Sequence, residues 1–248
     1  FAIRTLLSCS FHSLVAVANT YPMYLVGKVQ GERVAGQAPV RANLPIKLAD
    51  QATNVTGVKD ADPYLVDVCM LANQDNQRLG QGEQVSVLQA FFPGHTSQPR
   101  LVKGNAPTGS SEVALEESAA KRLGITTGQT LKVYVSSEGK DAKVSGIYRF
   151  PTPVAFTNYV FVGADSFASF TQKPRPTLTS AIGITGEKGV SSHNLQAELN
   201  KEFSGTAEVM TQTQYNDEIN AAAASSLAFV NVFLLVFAAI ALFVGAFI

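Results

Sequence analysis

The sequence holds only two cysteines, Cys9 and Cys69, too few for a disulfide framework. Neither has a neighbouring histidine or a CxxC partner, which sets aside a nucleophilic or redox thiol. The two could pair, but nothing in the sequence places them together. Histidine is also scarce. His12, His95 and His193 are scattered, with no i, i+4 pair and no Cys or Glu at metal spacing, so each is read as a surface or boundary residue. An excess of charge of either sign is missing: 19 Lys and Arg balance 19 Asp and Glu, which removes the electrostatic basis for binding nucleic acid or an anionic surface.

The usual chemical motifs are missing too. No GxxxxGK[ST] loop cradles phosphates, and no GxSxG elbow presents a serine. Ser110-Ser111 and Ser191-Ser192 read as loop or cap residues. Gly183, Gly186 and Gly189 have the wrong spacing for a dinucleotide fingerprint. Asp60 with Asp62, and Glu116 with Glu117, read as solvated faces and helix starts rather than acid–base pairs. Asn54-Val55-Thr56 fits a glycosylation acceptor pattern, one that is common by chance. Catalytic, cofactor-binding and metal residues are therefore expected to be none, and the chain is expected not to be an enzyme. No secretory signal peptide is visible in these residues. Leu6-Leu7-Ser8-Cys9 fits a lipoprotein-processing box, but it lacks the preceding apolar run of about 7–15 residues.

Charge is missing altogether from the last thirty residues, Ile219 to Ile248. From Leu227 they read LAFVNVFLLVFAAIALFVGAFI, with Asn231 the one strongly polar residue. About 20 apolar residues match the roughly 30 Å hydrocarbon core of a bilayer. A helix would pair its own backbone groups there, as lipid requires. A buried helix of a large soluble domain usually keeps a polar stripe, so a transmembrane helix over 227–248 is expected. The run stops without a basic flank and the first residue is Phe1. Both observations lead us to expect a segment of a larger membrane protein.

The remaining residues are ordinary in composition, enough for one large domain or two small ones. Ile3, Leu7, Phe11, Leu14, Val15 and Ala18 form an apolar stripe at helical spacing, and Asn19-Thr20-Tyr21-Pro22 ends that helix. Strands are predicted at Met23–Val29, Tyr64–Leu71 and Val85–Phe92, with a helix over Asn43–Val55 that Asn43 caps. Glu116–Leu123 is a two-turn helix, acidic at its start, basic at its end and stopped by Gly124. Leu131–Val135 and Val144–Phe150 pair as a hairpin. Strands at Tyr159–Val162, Ala181–Ile184 and Glu208–Met210 follow, with a short helix at Asp165–Phe170. Ser192 caps a further helix carrying Leu195, Leu199 and Phe203. Thr211 opens a last helix that runs on towards the apolar end. Two strand–helix–strand passages, Met23–Leu71 and Ala181–Met210, thus flank a block richer in strands. The fold class expected is α+β, two βαβ halves with a second domain inserted between them.

Two stretches go beyond generic physics. LVKGNAPTGSSEVALEESAAKRLGITTGQTLKVYV at Leu101–Val135, with VSGIYRF at Val144–Phe150, is one; FVNVFLLVFAAIALFVGAFI at Phe229–Ile248 is the other. Together they resemble the extracytoplasmic core domain and second membrane helix of FtsX/MacB-type ABC transporter permeases, particularly the actinobacterial branch. Leu101, Gly104 and Pro107 match its turn, Glu112-Val113 its strand, Ala119–Leu123 its short helix and Gly128 its glycine turn. The resemblance is strongest over about 70 residues and looser elsewhere.

That resemblance implies a porter-like domain of two βαβ halves at 20–73 and 151–211, and an inserted sabre-like domain at 74–150. Stalk helices would span 1–19 and 212–226, with the transmembrane helix at 227–248. Implied partners are a cytoplasmic ABC ATPase subunit, a second permease subunit in a homodimer or pseudo-dimer, and the lipid bilayer, with no nucleic acid. Implied localisation is the cell membrane, with residues 1–226 mostly on the extracytoplasmic side. ATP hydrolysis inside would be coupled to export or to mechanotransmission outside. The alternatives are a membrane-tethered surface enzyme or a lipid-anchored binding protein using Cys9. Cargo is not implied, because a fold does not fix a function.

Overall fold

A computed structural model of the chain describes residues 21–32, 39–80, 85–95, 99–135, 137–150 and 157–218, together with positions 236, 237 and 240. The expected helix over 1–18 lies outside the described residues. So does the apolar run 227–248, apart from Val236, Phe237 and Ile240, which are helical and exposed. Among the described residues no helix is long and apolar enough to cross a membrane.

Four strands, β1 (Met23–Gly27), β3 (Val58–Pro63), β12 (Ala181–Gly186) and β13 (Ala207–Thr211), form one sheet in the order β13-β1-β12-β3. Every neighbouring pair is antiparallel. β1 and β3 therefore run parallel with β12 between them, and β12 and β13 run parallel with β1 between them. Helix α1 (Lys47–Ala52) links the first pair, and the later helix Ser192–Phe203 links the second. This is a split βαβ motif used twice and interleaved. Both helices cover one face, where Leu48, Ala49, Ala52, Leu195, Leu199 and Phe203 pack on Met23, Leu25, Ile182 and Ile184. The stripe at 195, 199 and 203 that period 3.6 predicts is the stripe buried, each side chain contributing about 1.5–3 kcal/mol.

Two details of the first half differ from expectation. The strand that follows α1 in this sheet is Val58–Pro63, not Tyr64–Leu71. Val58, Ala61, Asp62 and Pro63 are buried in it, so the segment of Asp60 and Asp62 is a strand covered on both faces at its end and not the solvated face expected. Asn43 does not cap α1, because Leu44-Pro45 (β2) pairs in extended form with Leu178-Thr179 (β11), and Ile46 becomes the N-terminal flank.

Seven strands make the second sheet: β4 (Val66–Ala72), β5 (Val85–Phe91), β6 (Arg100–Gly104), β7 (Glu112–Glu116), β8 (Thr130–Tyr134), β9 (Gly139–Arg149) and β10 (Thr157–Gly163). Their order is β6-β9-β7-β10-β5-β4-β8, and β8 also pairs with β9. The ring β9-β7-β10-β5-β4-β8 is therefore closed, a small mixed barrel with β6 laid along the far half of β9. Alternate residues fill it: Leu71 of β4, Leu88 and Ala90 of β5, Val113 and Leu115 of β7, Leu131 and Val133 of β8, Val160 and Val162 of β10. On β9 the inward set is Ala142 and Val144, then Ile147. The change of parity follows from a bulge: β7 partners Val144 and then Gly146, skipping Ser145. Beyond the bulge Tyr148 and Phe150 face outward into an aromatic wall with Phe91, Tyr159 and Phe161. β4, expected in the passage Met23–Leu71, and β10, expected in the porter-like half 151–211, hydrogen-bond within this sheet.

Helix α2 (Glu117–Leu123) and helix α3 (Phe167–Thr171) seal the barrel, burying Ala120, Phe167 and Phe170. Buried Glu116 caps α2 by accepting from the Ala119 N–H at 2.9 Å. Helix α4 (Ser192–Phe203) is capped one residue earlier than expected, by Ser191, whose hydroxyl accepts from the Asn194 N–H at 3.2 Å.

Candidate functional site

The residues that follow β13 turn into a helix whose described part is 212–218. Thr211 and Gln214 form a reciprocal cap: the Gln214 side chain accepts from the Thr211 N–H at 2.8 Å, and the Thr211 hydroxyl accepts from the Gln214 N–H at 3.3 Å. The Gln212 N–H donates to the Pro22 carbonyl at 3.0 Å. The incoming segment before β1 and the outgoing helix after β13 are thus stitched together, at the end of the sheet where Met23 pairs with Thr211.

From there the helix doubles back along the sheet, on the face opposite α1 and α4. Tyr215, one turn in, stacks on Tyr24 of β1 with ring centroids 4.1 Å apart and planes at 20°. Glu218, at the far end, meets Arg41. The Arg41 guanidinium donates twice to Glu218, through Nε at 2.6 Å and Nη2 at 2.7 Å. Its Nη1 donates to Glu208 of β13 at 2.7 Å and to the Gly27 carbonyl of β1 at 2.8 Å. This fork on a carboxylate is the strong geometry for an arginine ion pair. One side chain binds the helix, the central strand and the edge strand.

Glycine at position 27 permits the approach. A Cβ there would lie 1.7 Å from the Ala42 carbonyl oxygen, where the chain crosses back beside Arg41. The Arg41 side chain is 11% exposed. Its hydrogen bonds to Glu218 outweigh the cost of its burial and hold its pKa above the ordinary value, with Glu208 adding to the effect.

The same face carries a phenol cluster. Burial pushes Tyr215 up to about 12, with the Glu218 charge adding and Arg41 opposing. Tyr24 is raised by burial first and by Tyr215 next, against the Tyr21 N–H that its oxygen accepts. Tyr64, between β3 and β4, is raised well above the ordinary value by burial, with Tyr159 of the barrel and Tyr215, Tyr24 and Tyr21 adding. The face that receives the helix therefore also meets the barrel wall.

Asp62 of β3 forms a second polar knot. It is 2% exposed and accepts from the Tyr21 hydroxyl at 2.7 Å. Its other oxygen lies 2.5 Å from Nδ1 of His95, in the turn after β5. Tyr21 reaches it by lying across Gly183 of the intervening strand, where a Cβ would stand 2.4 Å from the ring.

Of the residues weighed in the sequence, Cys9 and His12 lie outside the described residues. Cys69 is buried in the barrel, and desolvation raises its thiol far above the ordinary range, the condition of an inert thiol. His193 is exposed on α4. Glu117 pairs with Lys121 at 3.1 Å and with Arg149. The Arg149 hydrogen bond, more than any other contact, lowers its pKa to about 2. Asp62 is the correction: it is buried on β3 and belongs neither to a solvated face nor to a helix start. Among the described residues no group of three His, Cys, Asp or Glu side chains could hold a metal ion. Sequence reasoning missed Arg41, Glu208, Glu218 and the Tyr24–Tyr215 stack. The Thr211-x-x-Gln214 spacing was the available signal for the helix start, but ion partners 167 and 177 residues apart leave no local trace.

Residues 12–202 match the family model described as the MacB-like periplasmic core domain. A search of curated proteins finds no match. Among solved structures the chain is similar to the periplasmic region of MacB from Actinobacillus actinomycetemcomitans, with TM-score 0.56 and 14% identity, covering 83% of this chain and 96% of that one. It is also similar to the extracellular domain of the noncanonic ABC-type transporter YknZ from Gram-positive bacteria, with TM-score 0.51 and 15% identity, covering 76% and 99%.

Proposed function

The chain belongs to the MacB-like periplasmic core domain family, and from that premise we propose that it is the extracytoplasmic relay of an ABC transporter permease subunit. In this reading a separate cytoplasmic ATPase moves the membrane helices, and the segments flanking the described residues carry that motion outward to drive export or to act on an extracellular partner. The four-stranded sheet with α1 and α4 is the porter-like part, the barrel the sabre-like part. The permease works as a pair of subunits, with residues 227–248 in the bilayer. The chain itself does no chemistry.

One observation carries this reading: the helix leading to the apolar run is fastened to the sheet along its described length. It is capped at Thr211, stacked at Tyr215 and forked to Arg41 at Glu218. A displacement along such a helix reaches β1 and β13 without being absorbed in a kink, since 212–218 contains neither Pro nor Gly.

The test uses the complete permease with its ATPase in proteoliposomes. An antibody fragment that grips the barrel and α4 together should slow ATP hydrolysis on the opposite side of the membrane several-fold. Unchanged turnover with the fragment bound would overturn the relay.

A further inference from the structure

We propose that the two flanking segments drive different bodies: the C-terminal helix moves the four-stranded sheet through Arg41, and the N-terminal segment moves the barrel through Tyr21, Asp62 and His95. The proposal rests on the relay reading above and divides it between two levers.

The carboxylate of Asp62 joins three pieces of chain distant in sequence. Tyr21 belongs to the segment just before β1, Asp62 to the edge strand β3, and His95 to the turn that leaves β5 in the middle of the barrel. At 2% exposure the carboxylate cannot readily exchange these partners for water, so the knot holds its geometry under load. Each arm is itself fixed. The Tyr21 ring is trapped over Gly183, and its N–H donates to the Tyr24 hydroxyl oxygen at 3.3 Å. The His95 ring stacks on Phe92 at 5.8 Å with planes at 24°, and the His95 N–H donates to the Phe92 carbonyl at 3.3 Å. β5 in turn pairs along its whole length with β10 and over four residues with β4. A pull on Tyr21 therefore passes through Asp62 to His95 and into the barrel wall.

The C-terminal helix is wired differently. Its stack goes to Tyr24 of β1, and Glu218 goes to Arg41, whose other hydrogen bonds end on Gly27 and Glu208. All of these lie on the four-stranded sheet or on the hairpin that extends it. Two levers on two bodies, joined at their base where the Gln212 N–H meets the Pro22 carbonyl, give the molecule an internal degree of freedom, the angle between barrel and sheet, set by movement of the flanking segments about that joint.

The experiment uses the full permease with its ATPase in lipid. Spin labels at Glu138 on the barrel and Lys201 on α4, both exposed, report the barrel–sheet distance. A donor at Lys201 with acceptor lipids reports the height of the sheet above the membrane. Both readouts should shift between nucleotide-free and ATP-trapped states in the wild type. Tyr21→Phe keeps the ring over Gly183 but removes the hydroxyl. It and His95→Ala should abolish the barrel–sheet shift and leave the height shift intact. Glu218→Gln should do the reverse. Melting curves identify any variant that has unfolded, and Tyr21→Phe, the mildest, decides if His95→Ala fails to fold. A barrel–sheet shift that survives Tyr21→Phe, or one lost in Glu218→Gln, overturns the division of levers. A wild type in which neither readout moves overturns the relay itself.

Discussion

Replacing Arg41 with methionine keeps much of the aliphatic stem and removes the guanidinium that joins helix, central strand and edge strand. Glu218 is then left 18% exposed beside apolar and phenolic neighbours. Stranding one partner of a fully buried ion pair costs about 3–5 kcal/mol, and the water that reaches Glu218 reduces this to about 2–3 kcal/mol. Glu208, 40% exposed, regains hydration and adds about 0–1 kcal/mol. The sum is about 3 kcal/mol, or a fall in Tm of about 6–12 °C for a chain of this size. The assay is a pair of double-mutant cycles in detergent, followed by denaturant unfolding. Arg41 with Glu218→Gln should show a coupling of about 1.5–3 kcal/mol, and Arg41 with Glu208→Gln less than about 1 kcal/mol. If the Glu208 coupling is the larger, or Arg41→Met costs less than about 1 kcal/mol, the clamp does not hold the helix.

Two further outcomes follow from the geometry. Gly183→Ala places a methyl 2.4 Å from the Tyr21 ring, so the ring must leave Asp62. A loss of about 1–3 kcal/mol is expected, together with the loss of the Tyr21 hydroxyl resonance shift in NMR; an unaltered resonance refutes the packing. The phenol cluster makes stability fall in alkali. Tyrosines in the unfolded chain ionise near pH 10 while Tyr215 holds its proton to about 12, so above pH 10 the unfolded state binds fewer protons and gains. The contribution is full below pH 10 and is lost as pH rises through 12, on the order of 2 kcal/mol from Tyr215. Tyr215→Phe should flatten that decline in urea titrations, and an equally steep curve would refute the assignment.

Elements with a local signature were legible in the sequence. The stripe Leu195, Leu199, Phe203 and the charge order from Glu117 to Arg122 mark helices because neighbours in sequence are neighbours on the face. The hairpin β8–β9 reads from alternation around a turn, but its register does not: β8 pairs with Gly139–Lys143, and the expected partner Val144–Phe150 pairs instead with β7 and β6. Val58–Pro63 hid because Lys59, Asp60 and Asp62 resemble a turn, although Asp60 and Asp62 lie two apart and Asp62 is packed. Closure of the barrel depends on pairings such as β10 with β5, 72 residues apart at Asn158 and Ser86, and no local pattern encodes them. The candidate site suffers most. Arg41 looks like any loop arginine until Glu208 and Glu218 are brought to it by the interleaved strands.

The crossing point between the two sheets has a consequence of its own. The chain leaves the small sheet after Pro63 and returns at Thr179, and these two passages are sewn together: the Tyr64 N–H donates to the Ala181 carbonyl at 2.9 Å, and the Thr179 hydroxyl donates to the Tyr64 carbonyl at 2.9 Å. Everything from β4 to α3 forms a head carried on that seam and braced by the Asp62–His95 contact beside it. Such a head can be exchanged for another of different shape while the base keeps its strands, helices and anchoring. A lineage can then change the head and leave the sheet and its two helices untouched.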